Sequence, residues 1–134
     1  MASILKVNTL TGASTAGSIA VTGEGNSTTT NLQQGLTKMW AHTTQASTYV
    51  LDDSFNVSSI ADEGTGRTSF YIANDMANGN YSIGGTCSQE SFTIASVGAA
   101  AYEGRSFAHD GSAADSADFT TSVAGDLARA KQQN

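Results

Sequence analysis

Residues 53–87, DSFNVSSIADEGTGRTSFYIANDMANGNYSIGGTC, carry the clearest fold signal in this chain. Apolar and polar side chains alternate in three runs, best seen in SFYI at residues 69–72, and Gly-, Asn- and Asp-rich segments separate the runs. Alternation with a period of two indicates antiparallel strands with one buried face. Between the first two runs, Gly64 and Gly66 supply the positive φ angles of a hairpin turn. We therefore expect residues 53–87 to form three strands of one central sheet.

Similar strand-like runs recur along most of the chain, and turn-forming residues separate them. The predicted strands span residues 39–43, 48–51, 54–58, 67–72, 80–86, 91–97, 105–109 and 118–124. Short strands at regular spacing predict an all-β fold, either an antiparallel β-sandwich or a jelly-roll-like knob. The predicted organisation is an N-terminal docking arm and linker at 1–30, a short helical stem at 31–40, the knob at 41–126 and a polar tail at 127–134.

The arm contains two short apolar patches separated by small polar residues. Ile4, Leu5 and Val7 belong to the first patch, and the second lies at residues 19–21. The two patches can pair as a hairpin, but an isolated hairpin is marginal in water and needs a partner surface. The alternative is a disordered terminus. Under the first interpretation, Ile4, Leu5 and Val7 dock the chain on another protein.

The stem is predicted from a helical spacing of large apolar residues. Leu32, Leu36 and Trp40 follow one another at intervals of four, and Asn31 precedes them as a candidate N-cap. Gly35 weakens the helix by about 1 kcal/mol relative to Ala. Two turns of helix do not persist alone. The stripe therefore either holds copies of the chain together or docks on the sheet of the same chain.

The composition excludes several classes of function. Six Lys and Arg against 12 Asp and Glu give a net charge of −6, without the clustered cations that bind nucleic acid or anionic membranes. No apolar run is long enough for a membrane helix, and no signal peptide is recognisable. With one cysteine, the chain cannot form an internal disulfide. Large apolar side chains are few, so oligomerisation is expected to supply part of the buried surface.

No catalytic or metal-binding motif emerges from the polar residues. His42, His109 and Cys87 have no zinc-site spacing, and neither G-x-S-x-G nor a phosphate-binding loop occurs. We therefore expect no enzyme activity, no cofactor and no metal. His109 is expected on a loop. The exposed aromatics, predicted as Tyr49, Tyr71 and Tyr102, are assigned to subunit packing in preference to sugar stacking. The candidate outward loops contain Asp62, Glu63, Gly64, Asp110 and Asp115.

Four segments together resemble a known class of proteins. They are LQQGLTKMW at 32–40, DSFNVSSIADEGTGRTSFYI at 53–72, NGNYSIG at 78–84 and SFAHDGSAADSADFTTSVAGD at 106–126. In this order they resemble the C-terminal domains of tail-fibre and related fibre proteins of marine tailed bacteriophages, of the cyanophage or pelagiphage type. The opening MASILKVNTLTG is similar to the start of many phage fibre proteins. The long repetitive shaft is missing, and residues 91–103 match the pattern poorly.

The resemblance implies a virion structural protein that is assembled in the host cytoplasm. It implies a short fibre or spike-type component, most often a homotrimer, which docks through its N-terminal arm on tail, adaptor or capsid proteins. Its β-domain then serves host attachment, with surface glycans as candidate receptors. Two other functions fit the same sequence. One is a capsid decoration (cement) protein without receptor binding, and the other is a carbohydrate-binding module.

Overall fold

The computed structural model describes residues 4–12, 19–22, 29–46 and 48–128. Within these residues lie ten strands and one short helix, and every strand pair is antiparallel. The chain divides into two compact units, Met1–Leu36 and Thr37–Asn134. The described part of the chain contains no helix with the length and apolarity needed to cross a membrane.

The first unit contains a short hairpin and a single helical turn. Strands β1 (Ala20–Thr22) and β2 (Thr29–Asn31) pair with each other, and helix α1 (Leu32–Gly35) follows. Residues 4–12 have no regular secondary structure, so the expected pairing of the two apolar patches is wrong. The partner of the second patch is β2, whose two threonines favour extended backbone. The rest of the predicted linker, residues 23–28, lies outside the described residues.

The predicted helical stem is also corrected. Asn31 is the N-cap, as expected, because its Oδ1 accepts hydrogen bonds from the amides of Gln33 and Gln34 at 2.8 and 3.2 Å. The helix, however, ends at Gly35, and Trp40 lies in a strand. Gly35 is a poor helix former, and the β-branched Thr37 begins the strand that follows. Leu32, Leu36 and Trp40 therefore do not form one helical stripe.

The second unit consists of two four-stranded sheets. Its strands are β3 (Thr37–Thr44), β4 (Val50–Phe55), β5 (Val57–Asp62), β6 (Arg67–Ile72), β7 (Ser82–Cys87), β8 (Ser91–Val97), β9 (Ala101–Phe107) and β10 (Phe119–Ala124). Sheet I has the order β4-β3-β10-β7, and sheet II has the order β5-β6-β9-β8. Each of the eight predicted strands overlaps one of these, and the almost entirely β composition with antiparallel sheets is consistent with a β-sandwich.

Residues 53–87 do not form one central sheet, contrary to the sequence expectation. Asn56, with a φ of 59°, lies between β4 of sheet I and β5 of sheet II. The chain returns to sheet I after β6, and β7 pairs with β10 instead of β6. The distant strand β10 supplies this partner, which the local pattern of apolar residues cannot reveal.

The core lies between the two sheets. The buried apolar side chains are Met39, Ala41, Phe70, Ile72, Met76, Tyr102, Phe119 and Val123. The ring of Phe70 stacks on Tyr102 at 5.2 Å and on Phe119 of sheet I at 5.8 Å, measured between ring centroids. Tyr71 faces the opposite side of β6, as predicted.

Tyr102 is 2% exposed, so its expected exposure is wrong. It lies in β9, which has a hydrogen-bonded neighbour on each side, and its side chain faces the other sheet. Its hydroxyl shares a hydrogen bond of 2.9 Å with the hydroxyl of Thr121. Burial therefore leaves no polar atom of the ring without a partner.

The strand directions give the second unit two distinct ends. Thr37, the first residue of this unit, lies at one end together with the connections at 73–81 and 98–100, and the chain returns to that end after β10. We call this the entry end. The opposite end carries the connections 45–49, 63–66, 88–90 and 108–118, with residue 47 outside the described residues. We call it the acidic end, because most acidic residues of the loops lie there.

Candidate functional site

Acidic residues gather at the end of the sandwich opposite to the entry end. Six of them lie in or beside its four connections: Asp62, Glu63, Glu90, Asp110, Asp115 and Asp118. The two loops singled out from the sequence thus belong to one end of the same unit. Among the described residues, no group of three or more His, Cys, Asp or Glu side chains is placed to hold a metal ion.

The turn between β5 and β6 has the predicted hairpin geometry. Gly64 and Gly66 have φ angles of 109° and 67°, as the sequence requires. The turn is closed by a hydrogen bond of 2.9 Å from the Arg67 amide to the Gly64 carbonyl. Asp62 accepts a further hydrogen bond of 2.7 Å from the Gly64 amide. The turn is therefore a defined structure at the tip of the acidic end.

Asp115 ties this turn to two other segments. Its Oδ1 accepts a hydrogen bond of 2.6 Å from the Gly66 amide and lies 2.8 Å from the hydroxyl of Tyr49. The same hydroxyl is 2.8 Å from the Gly64 carbonyl, so its single proton serves one acceptor at a time. Burial, followed by the hydrogen bond with Asp115, raises the pKa of Tyr49. Tyr49 therefore remains a proton donor at ordinary pH, and Oδ1 of Asp115 binds groups of the protein itself.

A buried polar network lies beside the connections of the acidic end and links them to sheet II. Gln45 Nε2 donates to Thr68 Oγ1 at 2.9 Å, and Gln45 Oε1 accepts from Ser106 Oγ at 2.8 Å and from the Ser116 amide at 2.9 Å. All four residues are fully buried. In the described part of the chain, no buried side-chain nitrogen or oxygen lacks a partner. Sequence reasoning missed this network, because Gln45 lies in a polar stretch with no hydrophobic pattern.

The outer part of the 108–118 loop projects its polar groups into solvent. Asp110 Oδ1 accepts hydrogen bonds from the amide and hydroxyl of Ser112 at 2.9 and 2.6 Å, and these bonds lower the pKa of Asp110. His109 lies in a turn, as predicted, and its Nδ1 is 3.3 Å from Glu90. Gly111 has a φ of 81°. This part of the loop presents carboxylate and imidazole groups to solvent from an ordered turn.

The other predicted site residues belong to the first unit or to sheet I. Ile4, Leu5 and Val7 are 75%, 78% and 56% exposed in the first unit. Leu32 and Leu36 also belong to the first unit, whereas Trp40 belongs to the second. Trp40 lies on the outer face of sheet I, directly across from the exposed Phe55 of β4. The residues assigned to the oligomer interface are therefore divided between the two units.

Sheet II carries an ion-pair triad on its outer face. Glu103 Oε1 accepts hydrogen bonds of 2.8 Å from Nε of Arg67 and from Nε of Arg105. Oε2 accepts a third, of 3.2 Å, from Arg67. The hydrogen bonds from Arg67 are the main cause that lowers the pKa of Glu103 to about 2. The triad joins β6 to β9 and keeps Glu103 ionised.

Comparison of the chain with models of protein families, with curated proteins and with solved structures finds no match. The main features of the molecule are an ordered acidic end, an outer face with two aromatic side chains, and an exposed apolar segment in the first unit. Among the described residues of these three features, no Ser, Thr or Cys side chain is hydrogen-bonded to a histidine, the pairing of nucleophile and base that is typical of covalent catalysis.

Proposed function

We propose that this protein is a virion structural component that displays its acidic end away from the particle. In this proposal the chain is a short fibre or spike-type protein, and its first unit attaches it to other virion proteins. The residues of the attachment segment are Ile4, Leu5 and Val7, as the sequence indicates. The sandwich acts as a rigid support, and the mechanism is adhesive and mechanical.

The convergence of two acidic loops carries this proposal. The turn at Asp62–Gly66 and the loop at Asp110–Asp115 meet at the end opposite to Thr37, through which the first unit joins the sandwich. In this proposal the acidic end is the surface of the sandwich that contacts a partner. The Asp115 hydrogen bond and the buried Gln45 network hold the loops in place, which favours recognition by a preformed surface.

Accessibility on assembled particles tests the proposal. An epitope inserted after Gly111 is expected to bind antibody on intact particles, because Gly111 is exposed and its position has open space around it. The matched insertion lies after Gly98, in an exposed connection at the entry end. We expect it to bind antibody much more weakly. Equal or reversed accessibility would contradict display of the acidic end, and absence of the protein from purified particles would contradict the virion assignment.

The same labelled particles separate a fibre from a decoration protein. Electron microscopy of the bound antibody at the tail supports the short fibre, whereas antibody spread over the shell supports the capsid decoration alternative. Host attachment is tested with particles carrying Asp62→Asn and Asp110→Asn. A fibre with a receptor at the acidic end is expected to adsorb more slowly to host cells after these changes. A decoration protein is expected to leave adsorption unchanged.

The outer face of sheet I favours carbohydrate binding as a second candidate. Trp40 and Phe55 are cross-strand neighbours, 38% and 54% exposed, and the residue beside Trp40 on β10 is the small Ser122. An aromatic pair on a sheet surface can stack on sugar rings. This candidate predicts a monomer with glycan affinity that Trp40→Ala abolishes. If adsorption depends on Trp40 but not on Asp62 and Asp110, carbohydrate binding by the outer face of sheet I is favoured over attachment through the acidic end.

A further inference from the structure

Four strands form the edges of the two sheets, and they differ in how well they are protected. An edge strand offers unpaired backbone groups to another chain unless charges or bulges prevent pairing. Asp52 and Asp53 lie in edge strand β4, and Asp62 ends edge strand β5. The pairings of β4, β5 and β8 each contain a register shift. Three of the four edges therefore carry a charge, an irregularity or both.

Strand β7, with the sequence SIGGTC, is the exception among these four edges. It has no charged residue, and its register with β10 continues without a shift over all six residues. The Thr121 hydroxyl donates to the Gly84 carbonyl at 3.2 Å, so the backbone of Gly84 faces β10. Backbone groups alternate in direction along an antiparallel strand. The backbone N–H and C=O groups of Ile83 and Gly85 therefore point away from β10, toward the side of β7 that has no neighbouring strand in sheet I.

The first unit contains a segment of matching length and chemistry. Residues 4–10, ILKVNTL, have no regular structure, and Ile4, Leu5, Val7 and Leu10 are all more than half exposed. As a strand, this segment would place Leu5 and Val7 on one face. Added to β7, it would continue sheet I and extend the apolar inner row that contains Ile83.

Charge favours contact between this segment and a sandwich unit in general, and the uncharged edge then selects β7. Lys6 is the only charged side chain of the segment, whereas the sandwich unit contains all the acidic residues of the chain except Glu24. Exposed apolar side chains in a protein with few large core side chains favour burial against another copy, and the acceptor is placed there. An uncharged regular edge and an exposed apolar segment are the two halves of a strand-addition interface.

We propose that residues 4–10 of one copy add as a strand to β7 of a second copy. The inference rests on the proposed function in taking Ile4, Leu5 and Val7 as the attachment segment, and it deepens that proposal by naming a second copy of this chain as the virion protein that the segment binds. Repetition of this head-to-tail contact closes a ring if the rotation between copies permits, and a trimer is one such ring.

The test combines the oligomeric state with amide hydrogen exchange in the full chain. Wild-type protein is expected to be oligomeric by light scattering, with slow exchange at the Ile83 and Gly85 amides. The double variant Leu5→Asp, Val7→Asp is expected to be monomeric, with exchange at least tenfold faster at these two amides. Amides in the core strand β6 serve as the control, and their exchange should not change if the sandwich remains folded.

Lysine substitutions provide a second measurement on the acceptor side. Gly84→Lys adds a charge to the β7 edge, and a Cβ there has 3.8 Å to its nearest neighbour, the Ser122 hydroxyl. Ser122→Lys adds the same charge on the same outer face but on the interior strand β10. We expect Gly84→Lys to raise the concentration needed for association at least tenfold, and Ser122→Lys to leave it unchanged.

Three outcomes would overturn the inference. They are a wild-type monomer with fast exchange at Ile83 and Gly85, an oligomer that survives the double aspartate change, and slow exchange at these amides in a monomer. The last outcome would assign the segment to the β7 edge of its own chain. None of them concerns which end of the sandwich is exposed on particles, so the epitope experiment fails or succeeds independently.

Discussion

Asp115 and Gly66 are 49 positions apart in the sequence, yet the carboxylate of Asp115 accepts a hydrogen bond of 2.6 Å from the Gly66 amide. This bond crosses from the long loop before β10 to the hairpin turn between β5 and β6. It makes the two loops one surface, and its removal should therefore affect both.

Replacing Asp115 by Ala is expected to lower the free energy of unfolding by about 1–3 kcal/mol, because the buried Gly66 amide loses its acceptor. Urea unfolding measures the loss, and amide exchange at Gly66 should accelerate. Glu63→Ala, an exposed change in the same turn, is the control and should stay within about 0.5 kcal/mol of wild type. Equal losses for the two variants would show that the Asp115 contact contributes nothing.

Gly66→Ala is expected to be more damaging than Gly111→Ala, although both glycines have positive φ angles. Each change costs about 1–2 kcal/mol for the left-handed backbone of a residue with a Cβ. At Gly66 the new Cβ would also lie 2.5 Å from the Ser106 carbonyl, whereas at Gly111 nothing lies within 4 Å. The overlap adds about 1–3 kcal/mol. Thermal unfolding of the two variants checks this order, which a larger loss for Gly111→Ala would contradict.

Glu103→Gln should change how the free energy of unfolding depends on pH. The folded-state pKa of Glu103 is lowered from 4.5 to about 2, so the folded state binds the proton more weakly than the unfolded state. The ion pairs therefore contribute stability above about pH 4.5, and this contribution is lost as the pH falls toward 2. We expect Glu103→Gln to unfold at lower urea than wild type at pH 7, with a difference that shrinks between pH 4.5 and 2. Glu63→Gln is the matched control. A difference that is independent of pH would refute the ionic origin.

Gly104 and Phe119 should be energetically coupled. A Cβ at Gly104 would lie 2.8 Å from the ring of Phe119, so Gly104→Ala is expected to cost about 1–3 kcal/mol through overpacking. In a Phe119→Leu background the shorter side chain relieves this contact, and the cost of Gly104→Ala should fall by at least about 0.5 kcal/mol. Urea unfolding of the four proteins in the cycle measures the coupling. Strict additivity would mean that the two residues do not compete for space.

Much of the β structure follows from local patterns of residue type. Phe70, Tyr71 and Ile72 alternate as the sequence predicts, and the pattern locates β6 at the predicted residues 67–72. Gly64 and Gly66 likewise reveal the hairpin turn, because few other residues adopt their φ angles. These features depend on neighbours in the chain, which a single sequence displays.

Strand β9 illustrates why other features escape prediction. It begins at Ala101, four residues before the predicted start. The alternating pattern is hidden there because the next core-facing position after Tyr102 is Gly104, which has no side chain. The ring of Phe119 occupies the space where a Gly104 side chain would lie. The apolar side chain that would mark the strand is thus supplied by a residue from the opposite sheet. The bond between Asp115 and Gly66 escapes prediction for the same reason, since its partners meet only after the sheets have packed.

The position of β10 also determines the order in which this protein can assume its fold during synthesis. The four strands of sheet II lie between residues 57 and 107, so all of them leave the ribosome before β10. Sheet I, in contrast, requires β10 between β3 and β7, and the contact of Thr43 with Phe119 closes a loop of 76 residues. Such distant pairing is slow. Until it occurs, sheet I lacks an interior strand and the apolar inner face of sheet II lacks the ring of Phe119, and transient exposure of such surfaces favours aggregation.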